Sequence, residues 1–220
     1  MRAPVLAAFA AALILAGACD SASAHARAVC VLVDVSGTYA DQRHEVIRVV
    51  KSGLLPHLRP GDTLVVIRVG DHGYTRDSVV ASATLDEQPS HANAQKMEIA
   101  AKLDRFAAMD LHERHTDLSG AILLAAEYLR ASHAGRRSLV VFSDMLEELP
   151  RGAQRTLGPG ELAGVDVVAM NVKRLAADQM DPAAYRRRLD GWGTRLTAAR
   201  AASWTVVLDP TELATRLEEP

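Results

Sequence analysis

Short apolar runs rich in β-branched residues alternate along this chain with stretches of helical periodicity. The clearest run, Ala28–Val33, contains three valines and is typical of a strand buried on both faces. Similar runs follow at Thr63–Val69, Ser78–Thr84, Ser138–Ser143, Val165–Asn171 and Ser203–Leu208. This alternation predicts an α/β fold, in which helices cover both faces of a doubly wound, mostly parallel central sheet. We expect Ser78–Thr84 at or near a sheet edge.

The segments between these runs place hydrophobic residues at helical spacing. They predict helices at Asp41–Leu55, from near Asn93 to beyond Phe106, at Asp117–Ser132, and along the residues from Tyr185 to Ala199. Pro210 is expected in the first turn of a short terminal helix. Trp192 falls at helical spacing and is expected in the core.

The bulk properties favour one globular domain and argue against nucleic acid as a partner. A chain of 220 residues, 49% of them hydrophobic, is long enough for a sizeable core. The formal charge is −2, and no basic stripe with interleaved aromatic residues is present. The densest basic run, Arg186–Arg188, lies in a helical pattern and is predicted to be a solvated face. Cys30 is predicted to be a small buried hydrophobe.

The N-terminus has the features of an export signal. Arg2 precedes the apolar run Val5–Ala18, which is too short for a membrane span, and the small residues Ala22–Ala24 form a cleavage site. This interpretation makes residues 1–24 a signal peptide and residues 25–220 a single domain. Alternatively, Leu15–Cys19 resembles a bacterial lipoprotein box, in which Cys19 is lipidated after removal of residues 1–18. The protein is therefore expected to be periplasmic or secreted, or anchored as an inner-membrane lipoprotein.

Oxygen-bearing side chains follow two of the predicted strands. Asp34, Ser36 and Thr38 come directly after the first strand, and Asp144 follows the strand Ser138–Ser143. Thr116 lies where a helix begins. In such sheets ligands bind outside the carboxyl ends of the strands, and hard divalent cations prefer oxygen ligands. These five residues are therefore candidate ligands of Mg²⁺ or Mn²⁺.

Three segments together resemble the metal-ion-dependent adhesion site of von Willebrand factor type A domains. They are Asp34–Thr38, Thr116–Ile122 and Val140–Asp144, in the same order and with similar spacing. The resemblance implies that Ser36 and Thr116 ligate the ion through hydroxyls, and that Asp34 and Asp144 do so directly or through water. The third position of the first motif is usually serine in that family. Thr38 keeps the oxygen but adds a methyl group that restricts its rotamers.

The implied function is protein binding without catalysis. Two carboxylates and neutral hydroxyls leave a bound ion electrophilic, so its open coordination position accepts a Glu or Asp side chain from a partner protein. Without metal, two nearby carboxylates repel one another.

Two alternatives use the same residues differently, and a third uses two histidines instead. Haloacid-dehalogenase-type phosphatases carry an Asp-x-Asp-x-Thr motif, in which Asp34 would be the nucleophile, but Ser36 replaces the second aspartate, which protonates the leaving group. A metal-free structural module would use Ser36, Thr38 and Thr116 only as helix caps. A zinc-protease site at His112 and His115 is disfavoured, because that motif needs histidines four apart on a helix.

Overall fold

The computed structural model describes residues 25–111, 113–170, 172 and 175–218. Both predicted signal segments, residues 1–24 and 1–18, lie outside this part of the chain, as does the candidate lipidation site Cys19. Within the described residues, no helix has the length and apolar character needed to cross a membrane.

The described residues form a six-stranded sheet with one antiparallel edge strand. The strands are β1 (Arg27–Asp34), β2 (Thr63–Val69), β3 (Val79–Thr84), β4 (Arg136–Phe142), β5 (Val165–Met170) and β6 (Ser203–Val207). Their order is β3-β2-β1-β4-β5-β6, and all neighbours are parallel except β2 and β3. The mostly parallel sheet and its edge strand β3 are confirmed.

Helices lie between most of the strands and after the last one. They are α1 (Arg43–Val49), α2 (Pro89–Ala107), α3 (Leu118–Ala131), α4 (Ala176–Met180), α5 (Pro182–Ala198) and α6 (Leu213–Glu218). The predicted continuous helix Asp41–Leu55 is wrong in detail, because a 3-10 turn precedes α1 and a π-helical turn, Val50–Leu54, follows it. Helix α2 begins earlier than expected, since Pro89 occupies its first turn, where the missing N–H costs nothing.

Alternate residues of β1 belong to two hydrophobic layers, one on each face of the sheet. Val29, Val31 and Val33 pack on one face with α1, α2 and α6. Cys30 and Leu32 pack on the other face with α3 and α5. Both layers are buried, which explains why β1 is a continuous apolar run. The predicted doubly wound architecture is confirmed, and so are the core positions of Cys30 and Trp192.

The strand order places a crevice beside β1. The chain leaves β1 toward β2 on one side, whereas β4 pairs on the other side. The connections that follow β1 and β4 therefore run to opposite sides and leave a crevice between the carboxyl ends of these strands. Ligands of open α/β sheets bind in such a crevice. Asp34 is the last residue of β1, and Asp144 follows the end of β4 by two residues.

Candidate metal site

Asp34 is the buried centre of a hydrogen-bonded cluster at this crevice. Only 1% of its surface is exposed. Its Oδ1 accepts hydrogen bonds from the backbone N–H of Ser36 (2.9 Å) and from the Ser36 hydroxyl (2.6 Å). Its Oδ2 accepts one from the Ser143 hydroxyl at 2.6 Å. Both carboxylate oxygens are therefore fixed by short-range and long-range contacts.

Ser36 links Asp34 to Thr116, which is 80 positions later in the chain. The two hydroxyl oxygens are 2.5 Å apart. Because the single Ser36 hydroxyl proton goes to Asp34, Thr116 is the donor in this contact. Neither hydroxyl caps a helix: Ser36 makes no side-chain capping bond, and α3 is capped by Asp117, whose carboxylate accepts from the Gly120 N–H. The helix-cap alternative is thus wrong for Ser36 and Thr116.

Backbone contacts hold Thr116 just before the start of α3. Its N–H donates to the Glu148 carbonyl at 2.8 Å, and its carbonyl accepts from the Glu148 N–H at 3.1 Å. The next residue, Asp117, donates its N–H to the Gly70 carbonyl and pairs through its carboxylate with Arg155 at 3.1 Å. Thr116 is thereby clamped between the segments that follow β2 and β4.

Asp144 lies in the turn after β4 and is also buried. Its Oδ1 accepts from the Leu146 N–H at 2.9 Å, and its carbonyl accepts from Arg188 Nε at 3.0 Å. The structure therefore brings Asp34, Ser36, Thr116 and Asp144 to one edge of the sheet. The fifth candidate, Thr38, follows in the 3-10 turn Gly37–Gln42, and its side chain is outside the described part of the structure.

Burial dominates the electrostatics of the cluster. It raises the pKa of Asp34 to about 6, against the opposing effect of the hydrogen bonds from Ser143 and Ser36, and the charge of Asp144 raises the pKa further. Among the described residues, no lysine, arginine or histidine forms an ion pair with Asp34. A buried carboxylate without a counter-ion is unfavourable, and a divalent cation would supply the missing positive charge.

The donor set fits a hard cation. The Ser36 and Thr116 hydroxyl oxygens lie side by side, 2.5 Å apart, and Mg²⁺ accepts oxygen ligands such as these. Within the described residues, no three His, Cys, Asp or Glu side chains gather as a metal cluster. The candidate ligands are instead two carboxylates and two hydroxyls, a set suited to Mg²⁺ or Mn²⁺ rather than to zinc.

Two loops form one side of the cluster and are bonded to each other. The Asp71 carboxylate accepts from the N–H groups of Arg114 (2.9 Å) and His115 (2.6 Å). Glu113 pairs with Arg68 at 2.7 Å and accepts from the Asp71 N–H at 3.0 Å. His115 Nδ1 lies 3.2 Å from Asp71 in a non-helical segment, which agrees with the rejection of a zinc-protease motif. His112 lies outside the described residues.

Sequence reasoning missed two residues that support the cluster. Ser143, the last residue of a predicted strand, donates to Asp34, and a serine ending an otherwise apolar run is a signal that could have found it. Arg188 is wrongly predicted to be solvated: its side chain is 11% exposed and pairs with the buried Asp178 at 2.8 Å. Its neighbour Arg187 is 65% exposed, as expected for the whole basic run.

Comparison with solved structures identifies the fold. The chain is similar to the manganese-loaded TRAP protein of Plasmodium vivax, with 15% identity over 90% of this chain and 74% of that one, and a TM-score of 0.51. It is also similar to a von Willebrand factor type A protein of Catenulispora acidiphila, with 13% identity over 88% and 41% of the chains and a TM-score of 0.49. BatB of Bacteroides thetaiotaomicron matches with 12% identity over 87% and 94%, and a TM-score of 0.47.

The likeness to the TRAP protein shows a shared fold, and the doubly wound, mostly parallel sheet is the fold that the resemblance to von Willebrand factor type A domains implies. No protein-family model matches the sequence, and no curated protein does so significantly. The resemblance drawn from the three sequence segments is therefore confirmed for the fold, and the function of the site has to be argued from its own residues.

Proposed function

We propose that this protein is a non-catalytic binding domain that holds one Mg²⁺ or Mn²⁺ ion and uses it to bind an acidic side chain of a partner protein. The observation that carries this proposal is the convergence of Asp34, Ser36 and Thr116 into one buried, hydrogen-bonded cluster beside Asp144. These residues come from three distant parts of the chain, and no basic side chain among the described residues pairs with Asp34. The ion would supply positive charge at the bottom of the crevice.

A relative with the same fold supports the choice of ion. The Plasmodium vivax TRAP protein is manganese-loaded, and manganese accepts the oxygen ligands that the present cluster offers. Thr38 is the remaining candidate ligand.

The partner would approach over the rim formed by the Asp71–His115 contact. This rim carries the exposed Arg114, whose positive charge favours an acidic partner surface. Export, either as a periplasmic or secreted protein or as a lipoprotein anchored through Cys19, is part of the proposal and rests on the N-terminal sequence.

A metal-free structural module is the second candidate, because the cluster is already hydrogen-bonded without an ion. Thr116 donates to Ser36, Ser36 to Asp34, and Ser143 to Asp34. The phosphatase alternative has less support. Ser36 stands where the second acid is needed, and the lysines of the described residues bond elsewhere: Lys51 to Asp104, Lys96 to the Leu58 carbonyl and Lys102 to Glu98.

Thermal unfolding with and without divalent ions tests the site. A ligand that binds only the folded state adds about 2.7 kcal/mol at a hundredfold excess over its dissociation constant. Mg²⁺ or Mn²⁺ should therefore raise the melting temperature of the wild type, and Asp34→Ala should remove the increase. Asp190→Ala, which changes an exposed carboxylate of α5, should keep it. An equal increase in all three proteins would refute the assignment.

Capture of partners from a periplasmic extract tests the binding role. Binding should be lost in chelator, return with Mg²⁺, and be lost again when one acidic residue of the captured partner becomes alanine. A partner that is captured equally in chelator and in Mg²⁺ would favour the metal-free module.

A further inference from the structure

The turn that carries Asp144 is attached to helix α5 by two side chains with little exposure to solvent. Arg188 donates from Nε to the Asp144 carbonyl at 3.0 Å. Trp192, one helical turn later, donates from Nε1 to the Met145 carbonyl at 2.8 Å. These are consecutive peptide groups, so α5 fixes the orientation of the backbone on both sides of Met145.

Met145 has a backbone conformation that needs such support. Its φ is +62°, in the left-handed region that a residue with a side chain rarely adopts. Its N–H donates to the Ser143 hydroxyl at 2.9 Å, and that hydroxyl donates to Asp34 at 2.6 Å. The turn is therefore connected to both carboxylates of the candidate metal site, directly to Asp144 and through Ser143 to Asp34.

Arg188 is itself held in place by an ion pair with little access to water. Its Nη1 and Nη2 donate to the two oxygens of Asp178 at 3.1 and 2.8 Å, and its guanidinium lies 5.5 Å from the centre of the Tyr185 ring. Asp178 also accepts from the Leu175 N–H at 2.7 Å, just after β5. The arginine thus ties the segment that follows β5 to the segment that follows β4.

Buried ion pairs contribute little net stability, because desolvation offsets their attraction. The fixed fork of the guanidinium does, however, orient three acceptors at once, which the ammonium group of lysine does not reproduce. Replacing Arg188 by lysine therefore tests whether the arginine orients the turn rather than stabilises the fold.

We propose that Arg188 and Trp192 are positioning residues that keep the Ser143–Leu146 turn in the one conformation that presents Asp144 to the ion, an inference that rests on the proposed metal site. Loss of either donor lets the left-handed peptide at Met145 relax. The Asp144 carboxylate then departs from its position, while the two hydrophobic layers remain packed. Helix α5 therefore sets the metal affinity of a site to which it contributes no ligand.

The test compares Arg188→Lys and Trp192→Phe with matched controls in α5 and β6, Arg187→Lys and Trp204→Phe. Arg187 pairs with the exposed Asp181, and Trp204 lies in β6, where its ring packs beside Gly193 of α5. The Mn²⁺ dissociation constant is measured from the paramagnetic signal of free Mn²⁺. We expect it to rise about tenfold or more in the first two variants, as for supporting residues of metal sites, and to stay unchanged in the controls.

A second readout needs no metal. In chelator, hydrogen exchange at the Met145 and Leu146 amides should be faster in Arg188→Lys and Trp192→Phe than in the wild type, while exchange in β4 is unchanged. If Arg188 and Trp192 served only the stability of the fold, the substitutions would accelerate exchange in β4 as well. If the wild type binds no Mn²⁺, the proposed function fails and the exchange rates alone decide whether α5 controls the turn.

Unchanged exchange at both amides, or unchanged Mn²⁺ affinity in variants whose turn is loosened, would overturn the inference. Trp192→Phe keeps a large ring in the core, so it remains informative if Arg188→Lys fails to fold.

Discussion

At the scale of single residues, Asp34 has to satisfy two opposing requirements. Folding buries its carboxylate, which favours the neutral acid, whereas binding a cation requires the anion. The hydrogen bonds from Ser36 and Ser143 stabilise the anion in part, yet the pKa remains raised to about 6. Near neutral pH the metal-free protein therefore carries an unfavourable buried charge.

Asp34→Asn should leave the metal-free protein as stable as the wild type, or make it more stable, at pH 8. One pKa unit corresponds to about 1.4 kcal/mol. Because the pKa of Asp34 is about 6 in the folded protein and near 4 in an unfolded chain, ionisation costs the folded state as much as about 3 kcal/mol. This penalty is complete above pH 6 and disappears as the pH falls to about 4, so the advantage of the amide should disappear over the same interval. Urea unfolding of both proteins in chelator, repeated from pH 4 to pH 8, measures this difference in stability.

The same variant should lose the stabilisation by Mn²⁺, because it removes a negative charge from the site. Marked destabilisation of the metal-free Asp34→Asn protein at pH 8 would contradict this account. It would mean that Asp34 holds the turn to Ser36 by contacts that the amide does not reproduce.

At the scale of secondary-structure elements, the sequence predicts the helices and strands that follow from hydrophobic periodicity. It misses the features that depend on single contacts between elements. The sequence predicts the buried strand β2 with its observed bounds, Thr63–Val69, because a β-branched run between turn residues has few other conformations. The π-helical turn after α1 leaves no such pattern. The burial of Arg188 depends on Asp178, a residue of another helix, and no periodicity within α5 distinguishes it from Arg187.

The candidate site shows the same division. Asp34, Ser36, Thr116 and Asp144 could be chosen from sequence because their residue types and their places at strand and helix ends are local features. The clamp of Thr116 by Glu148 and the bond from Ser143 to Asp34 are long-range contacts. They follow from the register of the sheet, which the sequence alone does not define.

Replacing two glycines by alanine should change the free energy of unfolding in opposite directions. A Cβ at Gly73 would lie 1.9 Å from the Asp117 carbonyl oxygen and 2.7 Å from the Ala121 nitrogen, both backbone atoms of the α3 start. Gly191 in α5 is exposed and has no atom within 4 Å of its Cβ position. Gly73→Ala should lower the free energy of unfolding by more than about 3 kcal/mol, a value at the large end for point mutations. Gly191→Ala should raise it by up to about 1 kcal/mol, the difference in helix propensity.

Urea unfolding of both variants measures these changes. A harmless Gly73→Ala would mean that the loop after β2 moves freely away from α3. The connection from the Gly70 carbonyl to Asp117, which helps to place Thr116, would then contribute little.

At the scale of the whole molecule, the sheet separates the site from the point where the domain joins residues 1–24. Strand β1 starts at Arg27 and ends at Asp34, and eight residues of strand span about 26 Å. The N-terminal attachment therefore lies at the amino edge of the sheet, opposite the candidate metal site.

The N-terminus of the mature protein is the last prediction, and it decides how the domain is attached. Export should remove the apolar run Val5–Ala18. Mass spectrometry of the protein isolated from its native host should find either a start at His25, which indicates release in soluble form, or a diacylated Cys19, which indicates a membrane tether. In the second case Cys19→Ser should move the protein from the membrane fraction, because the thiol is the site of lipid attachment, and the Mn²⁺ affinity should stay the same, because the site lies at the opposite edge of the sheet. A mature protein that retains Met1 or Arg2 would refute both forms of export and place the proposed binding partner in a different compartment.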